Sequence, residues 1–401
     1  MMNGFSNFCR KRLVALLAVA GVLVSAAAQQ PADSLPPSDS VAVSLLTFYP
    51  GDEIFSLFGH TELRITRSTE DDYCFDYGVF EFQMPSFLFR FVAGDADYMC
   101  GVKPTRYMTR GMQGRRLVEQ RLNLTQEQAS LLRDYLIINS MPENNTYRYR
   151  YLTDNCSTRP RDLIEQVIGV PMNYPAAQQF VTYRDIMSHY TRNYPWEQFG
   201  IDLVLGSKLD VPLDARGQMF VPLALMQAFD GAYYERDSMA VPLVSDTRVL
   251  VNTSTQGTVL PPTPWWRTPV AVACLMLTVT LAFVWRDVRR KKITHWFHRV
   301  VFGLYGLVGC LLFYLTLFST QEATSPNWNL VWCNPLMLLP AMTARPQAVL
   351  RIYHVVNLLA IVLLALLWPF IPQVANVAFF PLMAIPALCS LTSLVLMRGS
   401  R

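Results

Sequence analysis

The chain has 401 residues, of which 52% are hydrophobic and 16% charged, and its net charge is +4. A soluble protein carries about a quarter charged residues, and the deficit here is concentrated at the two ends. So small a net charge, with no basic stripe interleaved with aromatics, excludes nucleic acid as a partner.

Residues 1–28 read as a secretory signal peptide. Arg10, Lys11 and Arg12 form the basic start, Leu13 to Val24 the apolar core, and Ala26-Ala27-Ala28 an A-x-A cleavage site; an uncleaved anchor is the alternative. Residues 29–40, rich in Pro, Ser and Asp, read as a flexible leader. Export places the region from about residue 30 to 260 in an oxidising compartment with three cysteines, Cys74, Cys100 and Cys156. If Cys74 and Cys100 pair, Cys156 is left as a free thiol. With neither a C-x-x-C motif nor a cysteine–histidine cluster, no metal site is expected, and no cofactor.

From Val41 the pattern is strand-like. Leu45 to Phe48 is an apolar run that ends in the turn Tyr49-Pro50-Gly51. From His60 the residues alternate, with His60, Glu62 and Arg64 on one face and Thr61, Leu63 and Ile65 on the other, the core face. After the acidic turn Glu70-Asp71-Asp72, Tyr73 to Phe80 reads as a strand antiparallel to it, with Asp76 on the same face as His60. Phe82 to Phe91 is dense in aromatics, either a core helix or an apolar lip over a groove. Arg115 to Leu124 reads as a strand, Thr125 as the N-cap of a helix through Ile138, and Asn144 to Thr153 as a strand with tyrosines at period two. That strand leads into Asp154-Asn155-Cys156-Ser157-Thr158 and an amphipathic helix built on Leu163, Ile164, Val167 and Ile168, which stops at Gly169. Cys156 therefore sits at a helix start, where free N–H groups and the helix dipole favour a thiolate. A buried structural cysteine is the competing reading. Residues 173–240 are mixed, with a helix expected over Leu223 to Ala232 and His189 in a polar stretch. Residues 241–264 read as a linker.

Beyond the linker the chain changes solvent. Apolar segments at 269–285, 300–318, 330–341, 352–370 and 374–397 predict five spans, the third short and broken by Pro335 and Pro340. Five spans put the basic 286–292 loop, the 345–351 loop and the C-terminus on the cytoplasmic side, which satisfies the positive-inside rule.

A thiol nucleophile needs a base and the base an orienting partner. The region before the spans holds two histidines, His60 and His189, and His60, Asp76 and Cys156 make a Cys–His–Asp set. Phe58-Gly59-His60-Thr61-x-Leu63-Arg64, Tyr77-Gly78-x-Phe80 and Asp154-Asn155-Cys156-Ser157-Thr158-Arg159 resemble the Lnb-type family of Bacteroidetes lipoprotein N-acyltransferases, over roughly residues 41–235, with a membrane bundle behind. Serine at 157 replaces the family's threonine. The resemblance implies an α+β fold, a permuted papain-like (NlpC/LRAT-like) periplasmic domain at 41–240 followed by an all-α bundle of about five transmembrane helices at 265–401. It implies Cys156 as nucleophile and His60 as base; Asp76, where the family often has asparagine, is the candidate orienter. Asn155 and backbone N–H groups would hold the oxyanion, and Ser157, Tyr77, Arg64 and Arg159 would line the substrate site. The expected partners are a phospholipid acyl donor and a diacylated lipoprotein acceptor at the inner membrane. A periplasmic thiol amidase or peptidase, and a non-catalytic membrane-anchored binding module, are the alternatives.

Overall fold

The computed structural model describes residues 40–53, 56–80, 86–110, 112, 114–175, 181–253, 262–343 and 346–398. The expected signal peptide, the leader up to residue 39, and residues 81–85 of the aromatic stretch lie outside them. The N-terminal part is α+β. Strands β1 (Ala42–Phe48), β2 (His60–Thr66), β3 (Asp72–Val79), β4 (Asp97–Pro104), β5 (Leu117–Leu122), β6 (Thr146–Arg148) and β10 (Val244–Val251) form one antiparallel sheet in the order β10-β5-β1-β2-β3-β4-β6. A smaller sheet joins β7 (Met172–Asn173), β8 (Tyr233–Arg236) and β9 (Met239–Pro242).

The period-two pattern gives the large sheet two different faces. Val43, Leu45, Leu63, Ile65, Phe75 and Tyr77 form one face. Packed against it are Leu132 and Leu136 of α2 (Gln126–Ser140), Ile164 and Val167 of α3 (Thr158–Ile168), and Leu225 and Phe229 of α6 (Pro222–Asp230). The other face carries a small apolar cluster of Leu46, Phe48, Cys74 and Leu117, and beside it the charged residues of β2 and β3. Helix α2 begins with a capping box between Thr125 and Gln128. Helix α3 ends on Gly169 in the left-handed conformation (φ 72°) that glycine adopts freely.

Three expectations change. The stretch 241–264 is not a linker through its first half. It completes β9 and forms β10, whose β-branched residues pair with β5 at the sheet edge. Cys74 and Cys100 are free and buried, not paired. Cys74 pairs across strands with Lys103, so Cys100, three residues away along β4, points to the opposite face. The strand expected over Asn144 to Thr153 is ordered as one only at Thr146–Arg148, because the chain turns over 151–153 to start the Cys156 loop.

Four helices are long and apolar enough to cross a membrane: α7 (Pro269–Arg290), α8 (His295–Phe318), α9 (Gln347–Leu367, continuing as a 3-10 turn to Phe370) and α10 (Phe379–Arg398). They expose leucines and isoleucines that water would not tolerate in such number, among them Leu275, Leu307, Ile352 and Leu359. The expected third span, 330–341, is not one helix. It is built from 3-10 turns at Trp328–Val331 and Pro335–Met337 and a short helix at Leu338–Met342, and it runs antiparallel to α8. A Cβ on Gly309 would lie 2.4 Å from the Asn334 backbone, one on Gly306 2.7 Å from the Leu338 side chain, and one on Gly303 3.8 Å from Ala341. Irregular backbone at membrane depth must be satisfied from within, and Asn334 accepts from Leu336 N–H while donating to the Val331 carbonyl.

Periplasmic and membrane parts are joined by the segment 319–329 and Asn376. Gln321 donates to the carbonyls of Phe91 and Tyr149, which ties it to α1 (Phe87–Ala93). Asn327 and Asn329 donate to carbonyls at 202–204 in α5 (Pro195–Val204). Asn376 donates to Asp202, itself ion-paired at 2.6 Å to the buried Arg184 of α4 (Tyr183–Thr191).

The glycine groove makes a prediction. Gly309→Val should lower the melting temperature of the detergent-solubilised protein, by an overpacking cost of about 1–3 kcal/mol or more, whereas Gly303→Ala, with room for its methyl, should melt like the parent.

Candidate active site

The β2–β3 register places Leu63 opposite Phe75 and Arg64 opposite Cys74. Extended by the same count, it sets Glu62 across from Asp76 and His60 across from Gly78. Only glycine fits there, since a Cβ on residue 78 would lie 2.3 Å from His60 Cε1. The imidazole lies over the neighbouring strand and its Nε2 meets Asp76 Oδ1 at 2.8 Å. The same oxygen accepts the Gly78 N–H at 2.6 Å. Both side chains are largely shielded from solvent.

Cys156 is brought to His60 by the turn before α3. Asn155 organises that turn. Its Oδ1 accepts the N–H groups of Ser157 (2.7 Å) and Thr158 (3.0 Å), and its Nδ2 donates to the Tyr151 (2.8 Å) and Phe220 (2.9 Å) carbonyls. Its amide is thus a helix cap with both N–H bonds engaged. Thr61 Oγ1 lies 3.5 Å from Ser157 Oγ, which sets the helix start against β2. The Cys156 thiol is half-buried and lies near enough to His60 for its charge to act on the imidazole. Asp76 takes Nε2, so Nδ1 is the ring nitrogen left for sulfur. Among the described residues the Cys156 backbone N–H has no partner.

Burial alone would depress the His60 pKa, but the Asp76 carboxylate and then the Cys156 sulfur outweigh it, and the imidazole is held well above its ordinary value. Burial pushes the Asp76 carboxyl up, and His60, Lys103 and the Gly78 N–H more than reverse this, leaving it below the usual carboxylate range. Burial pushes the Cys74 and Cys100 thiols each up to about 12, which disfavours the nucleophilic thiolate in both.

The structure brings Cys156, His60 and Asp76 together and places the remaining expected site residues elsewhere. Asn155 and Ser157 are buried scaffold of the turn, and Asn155 has no free donor for an oxyanion. Arg64 is held by Asp72 (2.9 and 2.8 Å) and Glu119 (2.9 Å), and Arg159 by Asp154 at 2.9 Å with its guanidinium 3.6 Å above the Tyr147 ring. Neither is available to a phosphate. Tyr77 is in the core, its hydroxyl accepting from Asn139 at 2.8 Å. His189 is exposed on α4.

Four groups near the thiol were not singled out by the sequence. Tyr98, Tyr147 and Tyr149 lie close enough for its charge to raise their pKa values, after burial. Arg115, which donates to the Tyr49 carbonyl at 2.6 Å, faces both Cys156 and Glu62. Tyr98 and Tyr149 stack at 4.0 Å, Phe91 of α1 packs on Tyr149 and Tyr151, and Phe89 of α1 stacks on Tyr314 of α8 at 5.6 Å. Aromatic side chains thus lie between the thiol and α8, with Phe91 of α1 turned to the core and Phe89 to Tyr314. Both readings of the aromatic stretch are partly met: α1 packs on the core through Phe87 and Phe91 and presents Phe89 outward. The ligand-type atoms of His60, Glu62 and Asp76 lie within 4.8 Å of one another, a spacing that suits a cation, and the Lys103 ammonium, 2.7 Å from Glu62 and 3.9 Å from Asp76, supplies one.

A family model described as the Lnb N-terminal periplasmic domain matches residues 27–192, and one described as the Lnb transmembrane domain matches residues 262–400. No curated protein and no solved structure matches the chain.

Alkylation of Cys156 reports on the placement of the imidazole by Gly78. Gly78→Ala should displace the imidazole and slow iodoacetamide labelling of Cys156 at neutral pH by about tenfold, the effect of one pKa unit. Gly200→Ala, where nothing lies within 4 Å of the added carbon, should label at the parental rate.

Proposed function

This chain is a member of the Lnb family, a membrane protein with a periplasmic N-terminal domain, and we propose that it is a lipoprotein N-acyltransferase of the inner membrane. The donor is a membrane phospholipid and the acceptor is the α-amine of a lipoprotein's N-terminal diacylglyceryl-cysteine. The observation that carries this reading is the Cys156–His60–Asp76 set in a domain that packs, through Phe89 on Tyr314, against a spanning helix.

The chemistry follows from the residues. Asp76 holds Nε2, which orients the ring and stabilises it as imidazolium, so the proton of Cys156 resides on His60 and the sulfur is a thiolate. The thiolate attacks an ester carbonyl of the phospholipid. Charge develops on the carbonyl oxygen, and the unpartnered Cys156 N–H is the donor placed to receive it. The ester C–O bond breaks, the leaving alkoxide takes the proton from His60, and a lysophospholipid departs, leaving an acyl-thioester on Cys156. The acceptor amine then attacks the thioester carbonyl and gives its proton to His60. The C–S bond breaks, an amide forms, and the imidazolium–thiolate pair is restored. No metal or cofactor takes part in this scheme. Asn155, Ser157 and Arg159 act by holding the turn. The aromatic residues near the thiol, Tyr98 and Tyr149 among them, give the ester an apolar surround. Both substrates are anchored in lipid, and the tie through Gln321, Asn327 and Asn329 keeps the thiol at that surface.

Incubation of the full-length protein with a labelled phospholipid, followed by mass spectrometry of the Cys156 peptide, tests the reading. A thioester-linked acyl group on Cys156 is expected. It should disappear in Cys156→Ala and fall by about 10²–10⁴ in rate in His60→Ala. Arg64→Ala should alter stability but not acylation. Release of peptide fragments with no acyl adduct would point to an amidase. Unchanged lipoprotein N-termini in cells carrying Cys156→Ala would point to a binding module.

A further inference from the structure

On the far side of Asp76 from the thiol lies a second charged pair that the scheme above does not use. Glu62 of β2 is wholly buried (0% exposed). Its Oε1 accepts from Lys103 Nζ at 2.7 Å and lies 3.9 Å from His60 Nε2, and among the described residues its Oε2 has no partner. Lys103 belongs to β4. Its cross-strand neighbour on β3 is Cys74, and its side chain reaches over that small residue to β2, passing 3.9 Å from Asp76 Oδ2. Two carboxyl groups, one imidazole and one ammonium therefore occupy a strip three strands wide, with Glu62 wholly buried and Lys103 at its more open end.

Two buried carboxylates this close cannot both ionise without a cation beside them. Asp76 must ionise if it is to hold an imidazolium. We propose that Lys103 and Glu62 are positioning residues of the thiol site: Lys103 supplies the charge that keeps Asp76 ionised against His60, and Glu62 fixes Lys103 there. This rests on the reading of Cys156 and His60 as a working thiolate–imidazolium pair. The proton balance agrees with the geometry. Burial first, and then the Asp76 charge, push the Glu62 carboxyl up to about 7, although His60 and Lys103 pull it down, while Asp76 stays below the usual range. With Lys103 in place Asp76 therefore keeps its charge while Glu62 lies nearer protonation, and without Lys103 the two carboxyls compete for one proton. The groups that face this strip are His60 from β2, Asp76 and Cys74 from β3, Arg115 from the segment before β5, and Cys156 from the turn before α3.

The test is the pH profile of Cys156 alkylation by iodoacetamide on the full-length protein in detergent, read on the Cys156 peptide by mass spectrometry. In Lys103→Met, a proton shared between the two carboxyls weakens the hold on the imidazolium. The acid limb should move to higher pH by about one unit, which slows labelling roughly tenfold below it. Lys103→Arg should stay near the parent. Glu62→Gln combined with Lys103→Met should recover most of the loss, because a lone Asp76 ionises without a second acid beside it. A pair that serves only to hold the fold together would lower the melting temperature in both the single and the double variant and leave the profile in place. A Lys103→Met profile that superimposes on the parent, or a double variant that stays with the single one, overturns the proposal. If Lys103→Met does not fold, Lys103→Gln carries the same expectations. Iodoacetamide needs no lipid, so a shifted profile together with absent acyl adducts would overturn the acyl-transfer reading and leave this one standing.

Discussion

The antiparallel register of β2 on β3 is the constraint from which the site follows. It decides that His60 faces a residue with no side chain and that the carboxylate two residues before that glycine falls within reach of Nε2. A slip by one residue would send His60 and Asp76 to opposite faces. The register is fixed by ordinary hydrophobic pairing, Leu63 on Phe75, with Ile65, Val43 and Leu45 on the same buried face. Apolar burial on one face thus positions charged chemistry on the other. The Asn155 cap completes the arrangement from a separate element, because it sets the first turn of α3 against Thr61 and so the thiol beside the residue that precedes Thr61.

The membrane part depends on a different economy of space. Helix α8 carries glycines at 303, 306 and 309, one turn apart on one side, and the broken segment lies against that side. Close backbone approach replaces side-chain interdigitation there, the means by which helices associate where lipid offers no hydrophobic drive. Because the segment is not a regular helix, asparagines supply its missing backbone bonds, and the same polar stretch, continued to Asn327 and Asn329, grips α5 of the periplasmic domain. One sequence feature therefore both crosses the bundle and docks the domain above it. The Arg184–Asp202 pair gives that dock a rigid anchor, since Asp202 is held by arginine on one side and by Asn376 on the other.

Much of this was legible in the residues. Alternation from His60 to Ile65 identified the two faces of β2, and the same parity put Asp76 with His60. The apolar spacing at Leu163, Ile164, Val167 and Ile168 and the stop at Gly169 gave α3 with Cys156 just ahead of it. What was not legible depends on sheet order. Nothing in the chain says that β4 lies beside β3, so the reach of Lys103 to Glu62 and the divergence of Cys74 from Cys100 had no local signal. The stretch 241–264 reads as a linker because it is rich in Thr, Pro and Ser, yet Ser245, Asp246 and Thr247 are exposed residues of β10. Those residues face solvent on an edge strand, where polarity is expected and only the backbone pairing to β5 defines the structure. Arg64 and Arg159 show the same limit. An arginine near a reactive cysteine suggests an anion, but the carboxylates that claim these two, Asp72 with Glu119 and Asp154, are recognisable as partners only in three dimensions.

The charge arrangement has a consequence for how such a site works next to a bilayer. An apolar surround that admits an acyl chain also raises the cost of every charge within it. A thiolate there needs a cation, the cation needs an anion to remain protonated, and that anion needs protection from its own desolvation. His60 answers the first need and Asp76 the second. The Gly78 N–H and the Lys103 ammonium answer the third, the ammonium being anchored in turn by Glu62. Each charge in the chain of contacts alternates in sign, so neighbouring charges stabilise one another. A fold that placed the same cysteine and histidine together without the remaining partners would have a neutral thiol facing a neutral ring. Under the proposed acyl transfer, the reactivity of Cys156 is thus a property of three adjacent strands and one helix start acting together, because those strands bring the counter-charges that a thiolate beside lipid requires.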